Sequence, residues 1–217
     1  MSRIADPAAP GVAGEFGAAH GRLSTDAASV KNPAMDDSTP DWLADARSKW
    51  TNRGQQRPPF AIDPGPGEES VWDYPRPPAM VPDTRRVVVS GNDGVIADTT
   101  SAIRILETAS PPTFYLPPDD VDLDKLVMTA GSSFCEWKGP ARYWALPEDP
   151  DRPVGWDYPE PLPGSELIQH HVAFYPGRVA CTIDTEPVRP QAGEFYGGWI
   201  TDEVKGPFKG DPGTSSW

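Results

Sequence analysis

The residues best equipped for chemistry fall in one stretch, Glu107 to Trp144, ETASPPTFYLPPDDVDLDKLVMTAGSSFCEWKGPARYW. It holds Cys135, one of two cysteines in the chain, and Lys138 three residues further on. A thiolate is a nucleophile, and a neighbouring cation favours it over the thiol. Cys135 and Lys138 are therefore the candidate catalytic pair, as nucleophile or acid/base. On a strand through residues 134–138, Cys135 and Trp137 point to one face while Glu136 and Lys138 point to the other. Lys138 then reaches Cys135 only if the chain bends near Gly139. The competing reading makes Cys135 a small buried hydrophobe, because free cysteine is among the most buried residue types.

A second constellation needs no covalent step. Glu107, Tyr115, Tyr143 and Tyr175, together with Lys138, put polar tips on aromatic bodies beside one acid and one lysine, which suits a concave site that orients a small polar ligand. Alternatively Glu107 and Lys138 form a plain ion pair between adjacent strands, worth about 0–1 kcal/mol if exposed. Arg104 and Arg142 either add an anion contact or pair with nearby carboxylates. Histidine is the usual acid-base residue near pH 7, but His170 and His171 are adjacent, and on a strand they face opposite ways. No Ser or Cys partner stands in motif context with them, so a surface or half-buried role is expected. Asp120, Asp122 and Asp124 have an acidic spacing, yet Lys125 and Gly131 stand where a calcium loop needs Gly and Glu. Carboxylates at the start of a short helix over 117–126 account for them.

Composition narrows the function classes. The chain has 217 residues and a formal charge of −13, with Pro 28 and Gly 20. Nucleic-acid backbones are bound by Lys and Arg that release counterions, so a chain this acidic is expected to bind no nucleic acid. It has no polybasic stretch for anionic lipid and no window approaching a membrane span. Met1 to Ala9 lacks the apolar core of an export signal. The expected location is the cytoplasm, where two free thiols are the expected state of Cys135 and Cys181.

The elements that must position these residues are read from periodicity and turn chemistry. Met1 to Val30 is rich in Ala, Gly, Ser and Pro and is expected to be disordered. Ser38 to Trp50 reads as one short helix with Thr39 as cap, Pro40 at the first helical position, and Trp42, Leu43, Ala46 and Trp50 near one face. A helix this short must dock, either as a strap on its own domain or, through residues 38–50, on a protein partner. A polar, then proline-rich linker spans Arg53 to Gly67. The phrase WDYPxP occurs at Trp72 and again at Trp156, and is read as two equivalent corners that bury Trp and Tyr rings, or else as polyproline ligands.

From Arg85 the pattern is β. Val87–Val89 and Val95–Ala97 form a hairpin across Gly91-Asn92-Asp93-Gly94, followed by strands through Ile103–Ile105 and Thr113–Leu116. Ser133–Trp137 and Ala141–Leu146 are joined at Lys138-Gly139-Pro140. Ser165 to His170 makes one helical turn, and His171–Tyr175 with Arg178–Ile183 make a hairpin across Pro176-Gly177. The glycines and aromatics after Pro187 indicate an ordered wrap. The expected fold is mainly β: a single small domain of short antiparallel strands, a folded sheet or barrel with one or two short helices, over residues 69–217. Residues 1–68 form a long N-terminal extension with a helix near 40–50.

The blocks ESVWDYPRPP, IADTTSAIRILETASPPTFYLPPDDV, FCEWKGPARYW, WDYPEPLPG, HVAFYPGRV and EFYGGWIT, in this order, resemble the bacterial and fungal family called domain of unknown function 427. The resemblance covers roughly residues 69–210. It implies a small β-rich fold of the Mss4-like or tent-like kind, and its motif around Cys135, Lys138 and Gly139 marks the same place as the chemistry above. Zinc-binding relatives of that architecture use paired CxxC knuckles. This chain has none, and His20, His170 and His171 do not complete a four-ligand set with two scattered cysteines, so no metal and no cofactor are expected. A label attached to the family hints at nucleotidyl transfer, but no Gly-rich phosphate loop or paired-Asp metal motif stands in a supporting context. Three functional readings follow: binding of a small polar ligand near Glu107, Cys135 and Lys138; an enzyme using Cys135 or Lys138; and an adaptor acting through the N-terminal helix and the WDYP segments.

Overall fold

In the computed structural model, residues 39–217 apart from positions 194 and 215 are described. The disorder expected for Met1 to Val30, and His20, lie outside the described residues. One α-helix, α1 (Asp41–Ser48), precedes β1 (Glu69–Ser70), β2 (Ala79–Asp83), β3 (Val87–Gly91), β4 (Gly94–Thr99), β5 (Ala102–Leu106), β6 (Thr113–Leu116) and β7 (Val127–Cys135). There follow β8 (Gly139–Ala145), β9 (Pro153–Asp157), β10 (Val172–Phe174), β11 (Ala180–Ile183), β12 (Glu186–Pro187), β13 (Arg189–Pro190), β14 (Trp199–Ile200) and β15 (Val204–Lys205). The fold is mainly β. Seven strands form one sheet in the order β2-β5-β6-β10-β9-β8-β7, and four form a second in the order β12-β11-β3-β4. All pairings within these two sheets are antiparallel. Among the described residues neither sheet closes into a barrel, and no helix is long and apolar enough to cross a membrane.

The two sheets are glued by side chains that alternate along each strand. Phe114 and Leu116 from β6, and Val172 and Phe174 from β10, point inward to meet Val87 and Val89 from β3 and Cys181 and Ile183 from β11. Trp199, fully buried, closes this core: its ring lies 5.1 Å from that of Phe114, and its Nε1–H donates to the Phe174 carbonyl at 3.0 Å. The C-terminal wrap is therefore part of the core. The residues between the inward ones, Tyr115, Ala173 and Tyr175, reach the opposite face of the large sheet and build a second apolar cluster there. Tyr115 and Tyr175, both among the candidate site residues, lie on that second face.

Several expectations need correction. The Pro176-Gly177 turn does not close a hairpin: β10 pairs with β6 and β9, whereas β11 pairs with β3 and β12. A Pro-Gly turn reverses the chain equally well when it crosses from one sheet to the other, which is its role here. Residues 117–126 are not one helix but two single turns, Pro118–Asp120 and Leu123–Lys125. The acids there have ordinary partners, with Thr99 Oγ1 donating to Asp120 at 2.6 Å and Lys125 Nζ 3.4 Å from Asp122. The two WDYPxP phrases bury their rings but are not equivalent. Trp72 sits in a helical turn, Val71–Asp73, whereas Trp156 lies on β9.

Helix α1 starts at Asp41, and Thr39 does not cap it: Pro40 stands at the N-cap and its carbonyl accepts from the Leu43 and Ala44 amides at 2.9 and 3.1 Å. The helix lies on its own domain, across the tip of the β7–β8 hairpin. Trp42 packs edge-on to Phe134 at 5.1 Å, and Arg47 Nε donates to the Glu136 carbonyl at 2.8 Å. A protein partner taking residues 38–50 would have to displace these contacts.

Replacing Trp199 with Ala removes a ring from the inter-sheet core and leaves the Phe174 carbonyl without its donor. We expect a loss of about 3–5 kcal/mol, read as a lower urea midpoint with an unchanged m-value.

Candidate functional site

The outer face of the seven-stranded sheet is organised by one row of directly opposed residues. Tyr143 of β8 faces Trp156 of β9, Trp156 faces Ala173 of β10, Ala173 faces Tyr115 of β6, and Tyr115 faces Ile103 of β5. Ala173 is the small member. Over it the Trp156 Nε1–H reaches the Tyr115 hydroxyl at 3.0 Å. Tyr175, two residues along β10, packs its ring 4.5 Å from Trp156, and Tyr158 lies 6.1 Å from Tyr115. At the open end of the row the Tyr143 hydroxyl and Ser133 Oγ share a hydrogen bond of 2.7 Å. Gly197, from the C-terminal wrap, lies against this face; a β-carbon there would come within 2.2 Å of the Trp156 ring. The glycines of EFYGGWIT thus let backbone cover the row.

Lys138 enters the row from the hairpin tip. The strand stops at Cys135, and the turn is Glu136–Lys138, two residues earlier than expected; Gly139 and Pro140 already belong to β8. Gly139 takes φ +102°, and an added β-carbon would meet the Glu160 carbonyl oxygen and the Leu162 nitrogen at 3.2 Å. The tip is tied down, since Leu162 N–H donates to the Lys138 carbonyl at 3.0 Å and Ser165 Oγ to the Trp137 carbonyl at 3.1 Å. Because residues 136–138 are turn and not strand, the strict alternation of faces does not apply. The Lys138 ammonium is within electrostatic reach of the Cys135 sulfur, which favours its charged form.

Lys138 is buried, and its Nζ lies 3.8 Å from Glu107 Oε2. Glu107 follows β5 directly, and its other oxygen, Oε1, accepts from Arg76 Nε at 3.2 Å. Arg76, also buried, donates further to the carbonyls of Thr108 at 2.7 Å and Asn52 at 3.1 Å. Its guanidinium stands 4.5 Å over the Trp50 ring, and Lys209 Nζ stands 3.7 Å over the same ring. Trp50 Nε1 in turn donates to Glu136 Oε1 at 2.6 Å. All six residues picked from the sequence, Glu107, Tyr115, Cys135, Lys138, Tyr143 and Tyr175, are brought to this one face and its rim. Arg76, Trp50, Lys209, Glu136, Trp156 and Tyr158 were missed. Trp156 and Tyr158 had a usable signal, because they alternate along a strand that crosses the same face.

The protonation states follow from these surroundings. Burial alone would pull the Lys138 ammonium down, but the Cys135 sulfur, the Tyr115 oxygen and the Glu107 carboxylate outweigh it and hold its pKa above the usual lysine value. Burial pushes the Tyr115 phenol up to about 12 and raises Tyr158 and Tyr175 as well. These phenols are neutral at pH 7. Burial pulls Lys209 down to about 8, with Glu107 opposing the shift and Arg76 reinforcing it. Cys181, by contrast, is a buried thiol of the inter-sheet core whose pKa burial raises. Both cysteines are free.

Other candidates are placed elsewhere. Arg142 pairs with Asp157 through bonds of 2.9 and 2.5 Å, and Arg104 pairs with Glu69, so both arginines serve carboxylates. His170 and His171 are not on a strand; His170 Nδ1 lies 4.0 Å from Asp157, and His171 Nδ1 is 3.1 Å from the Gln169 carbonyl. No group of three or more His, Cys, Asp or Glu side chains among the described residues is arranged to hold a metal. Lys138 lines neither of two surface hollows, of about 290 Å³ beside Asn92, Lys125 and Glu148 and about 390 Å³ beside Glu69, Arg85 and Arg104. The Lys138 face is filled by its own side chains and is approached over half-buried Cys135, Ser133 and Tyr143.

A family model described as Domain of unknown function (DUF427) matches residues 79–185. No curated protein matches the chain.

Lys209 gives a signed test. The unfolded lysine keeps its proton to about pH 10.4, whereas the native one loses it near 8. Between these values the native state binds fewer protons, so this group's contribution to stability rises with pH across that window. Lys209→Met should melt higher than wild type at pH 7, and the gap should shrink as the pH is raised from 8 to 10. A gap independent of pH would refute the assignment.

Proposed function

The chain belongs, through residues 79–185, to the DUF427 family, and on that premise we propose that the Lys138 face binds a small polar ligand through an anionic group. The observation that carries this is charge. Three buried cations, Arg76, Lys138 and Lys209, converge on two carboxylates, Glu107 and Glu136. With the phenols neutral, the cluster holds an excess positive charge inside a chain of net charge −13. Two unit charges about 4 Å apart attract by about 4 kcal/mol where the effective dielectric is about 20, so a ligand anion beside Lys138 is strongly favoured over a neutral group of the same shape. Tyr143 and Tyr175 supply hydroxyls at the approach, and the Trp156 and Tyr158 rings supply an apolar floor. Glu107 sets the position of Lys138 and stays paired with Arg76.

A second reading draws on the attraction between the Cys135 sulfur and the Lys138 ammonium. An ammonium on the same side as the sulfur is the condition for an activated thiolate, so Cys135 is the nucleophile if the protein is an enzyme. Lys138 then acts by its charge. Its surroundings oppose the proton release that a nucleophilic or basic lysine needs.

Alkylation with a charged and a neutral reagent of similar size tests both readings. At pH 7.5, the ratio of iodoacetate to iodoacetamide rates at Cys135 should exceed that of free cysteine by about tenfold, the factor given by about 1.4 kcal/mol of differential attraction. Lys138→Met should return the ratio to the free-cysteine value. A wild-type ratio already equal to that of free cysteine would refute the anion site, and a Cys135 that reacts only in denaturant would refute the nucleophile.

A further inference from the structure

We propose that the segment from Asp41 to Arg53 is a lid over the Lys138 site, with Trp50 as its latch. The proposal rests on reading that site as a ligand site and assigns its regulation. The latch and the site are built from the same groups. Trp50 donates its Nε1–H to Glu136, the residue between Cys135 and the rest of the turn, and its ring lies under Arg76 and Lys209, which face Glu107. Arg47 holds the other side of the tip through the Glu136 carbonyl and stands 5.1 Å over the Trp137 ring. Phe134, Glu136 and Trp137, all touched by this segment, flank Cys135 on both sides.

The lid has the properties of a part that can leave as a unit. Arg53 folds the segment on itself, donating to the carbonyls of Trp50 at 3.2 Å and Arg47 at 3.0 Å. Helix α1 buries only Leu43, and Trp42 remains 56% exposed against a Phe134 that is itself 46% exposed. An uncapped helix of this length is not stable alone, and elements with few buried contacts open at low free energy while the core stays closed; the segment's one bond to a fully buried side chain is that from Arg76 to the Asn52 carbonyl at 3.1 Å, which opening gives up together with the Trp50 latch. The fixed end is Arg57, whose guanidinium grips the Asp73 carboxylate with two bonds of 2.7 and 2.6 Å. The lid precedes residue 79, where the family match begins, while Glu107, Cys135, Glu136 and Lys138 lie within the matched residues.

The two cysteines provide a built-in readout. In the full chain, iodoacetamide and iodoacetate labelling of each cysteine is followed by mass spectrometry for wild type, Trp50→Ala and Trp50→Phe. Losing the cation–π contacts and the charged hydrogen bond should raise the Cys135 rate about tenfold or more in Trp50→Ala with both reagents, while core-buried Cys181 stays unlabelled. Trp50→Phe, which keeps a ring but not the N–H, should fall between. An unchanged Cys135 rate in Trp50→Ala overturns the lid, and so does Cys181 labelling that rises in step with Cys135, since the effect is then global unfolding. Failure of the anion site would look different: the iodoacetate preference would be missing in every variant, whatever the rates did.

Discussion

The Glu107 carboxylate, shared between Arg76 and Lys138, is the constraint on which the site depends. Taking a charge out of water costs several kcal/mol per ion, and mutual attraction offsets this only where geometry and further hydrogen bonds satisfy each group. Arg76 meets that condition with Glu107 and two backbone carbonyls. Lys138 pairs with Glu107 at 3.8 Å, and the Cys135 sulfur and Tyr115 oxygen add attraction that outweighs its burial. One carboxylate at the end of β5 therefore fixes the segment before β2 and the tip of the β7–β8 hairpin relative to each other. It also places charge beside Cys135 and the tyrosines of the second hydrophobic cluster.

The large sheet can carry that polar face because its other face is occupied. Alternation along β6 and β10 sends Phe114, Leu116, Val172 and Phe174 into the inter-sheet core and leaves Tyr115, Ala173 and Tyr175 for the outside. The first set packs between the sheets, and the second holds candidate site residues. The small Ala173 lets a tryptophan on one neighbouring strand bond a tyrosine on the other across it. The C-terminal wrap serves both faces, with Trp199 closing the core and Gly197 laid against Trp156.

Most strands were legible because alternation and turn residues are local signals. Val87–Gly91, Gly94–Thr99 and Thr113–Leu116 stand where apolar runs bounded by Gly, Asn, Asp or Pro place them. Glu107, Tyr115, Cys135 and Lys138 were legible as chemistry-bearing types in one stretch. What was not legible is non-local. Arg76 reaches Glu107 across thirty-one residues, and Trp50 reaches Glu136 across eighty-six; nothing in the local sequence of either announces its partner. The Pro176-Gly177 turn was misread for the same reason, because a turn reports that the chain reverses and not which sheet receives it. The face of Lys138 depended on where the strand stops: with it ending at Cys135, two residues short of Trp137, the lysine belongs to the turn and escapes the strand's alternation.

Lys138 is held as a buried ammonium by its partners. Side-chain ¹⁵N and ¹³C NMR of lysine-labelled full-length protein, with Lys138 assigned by its loss in Lys138→Arg, measures this directly. The Lys138 Nζ and Cε shifts should stay those of a charged amine from pH 6 to beyond the titration of exposed lysines at about 10.4, while Lys209 titrates near 8. A Lys138 signal that titrates below pH 9 would mean burial outweighs its partners, and the charge-based account of the site would be wrong.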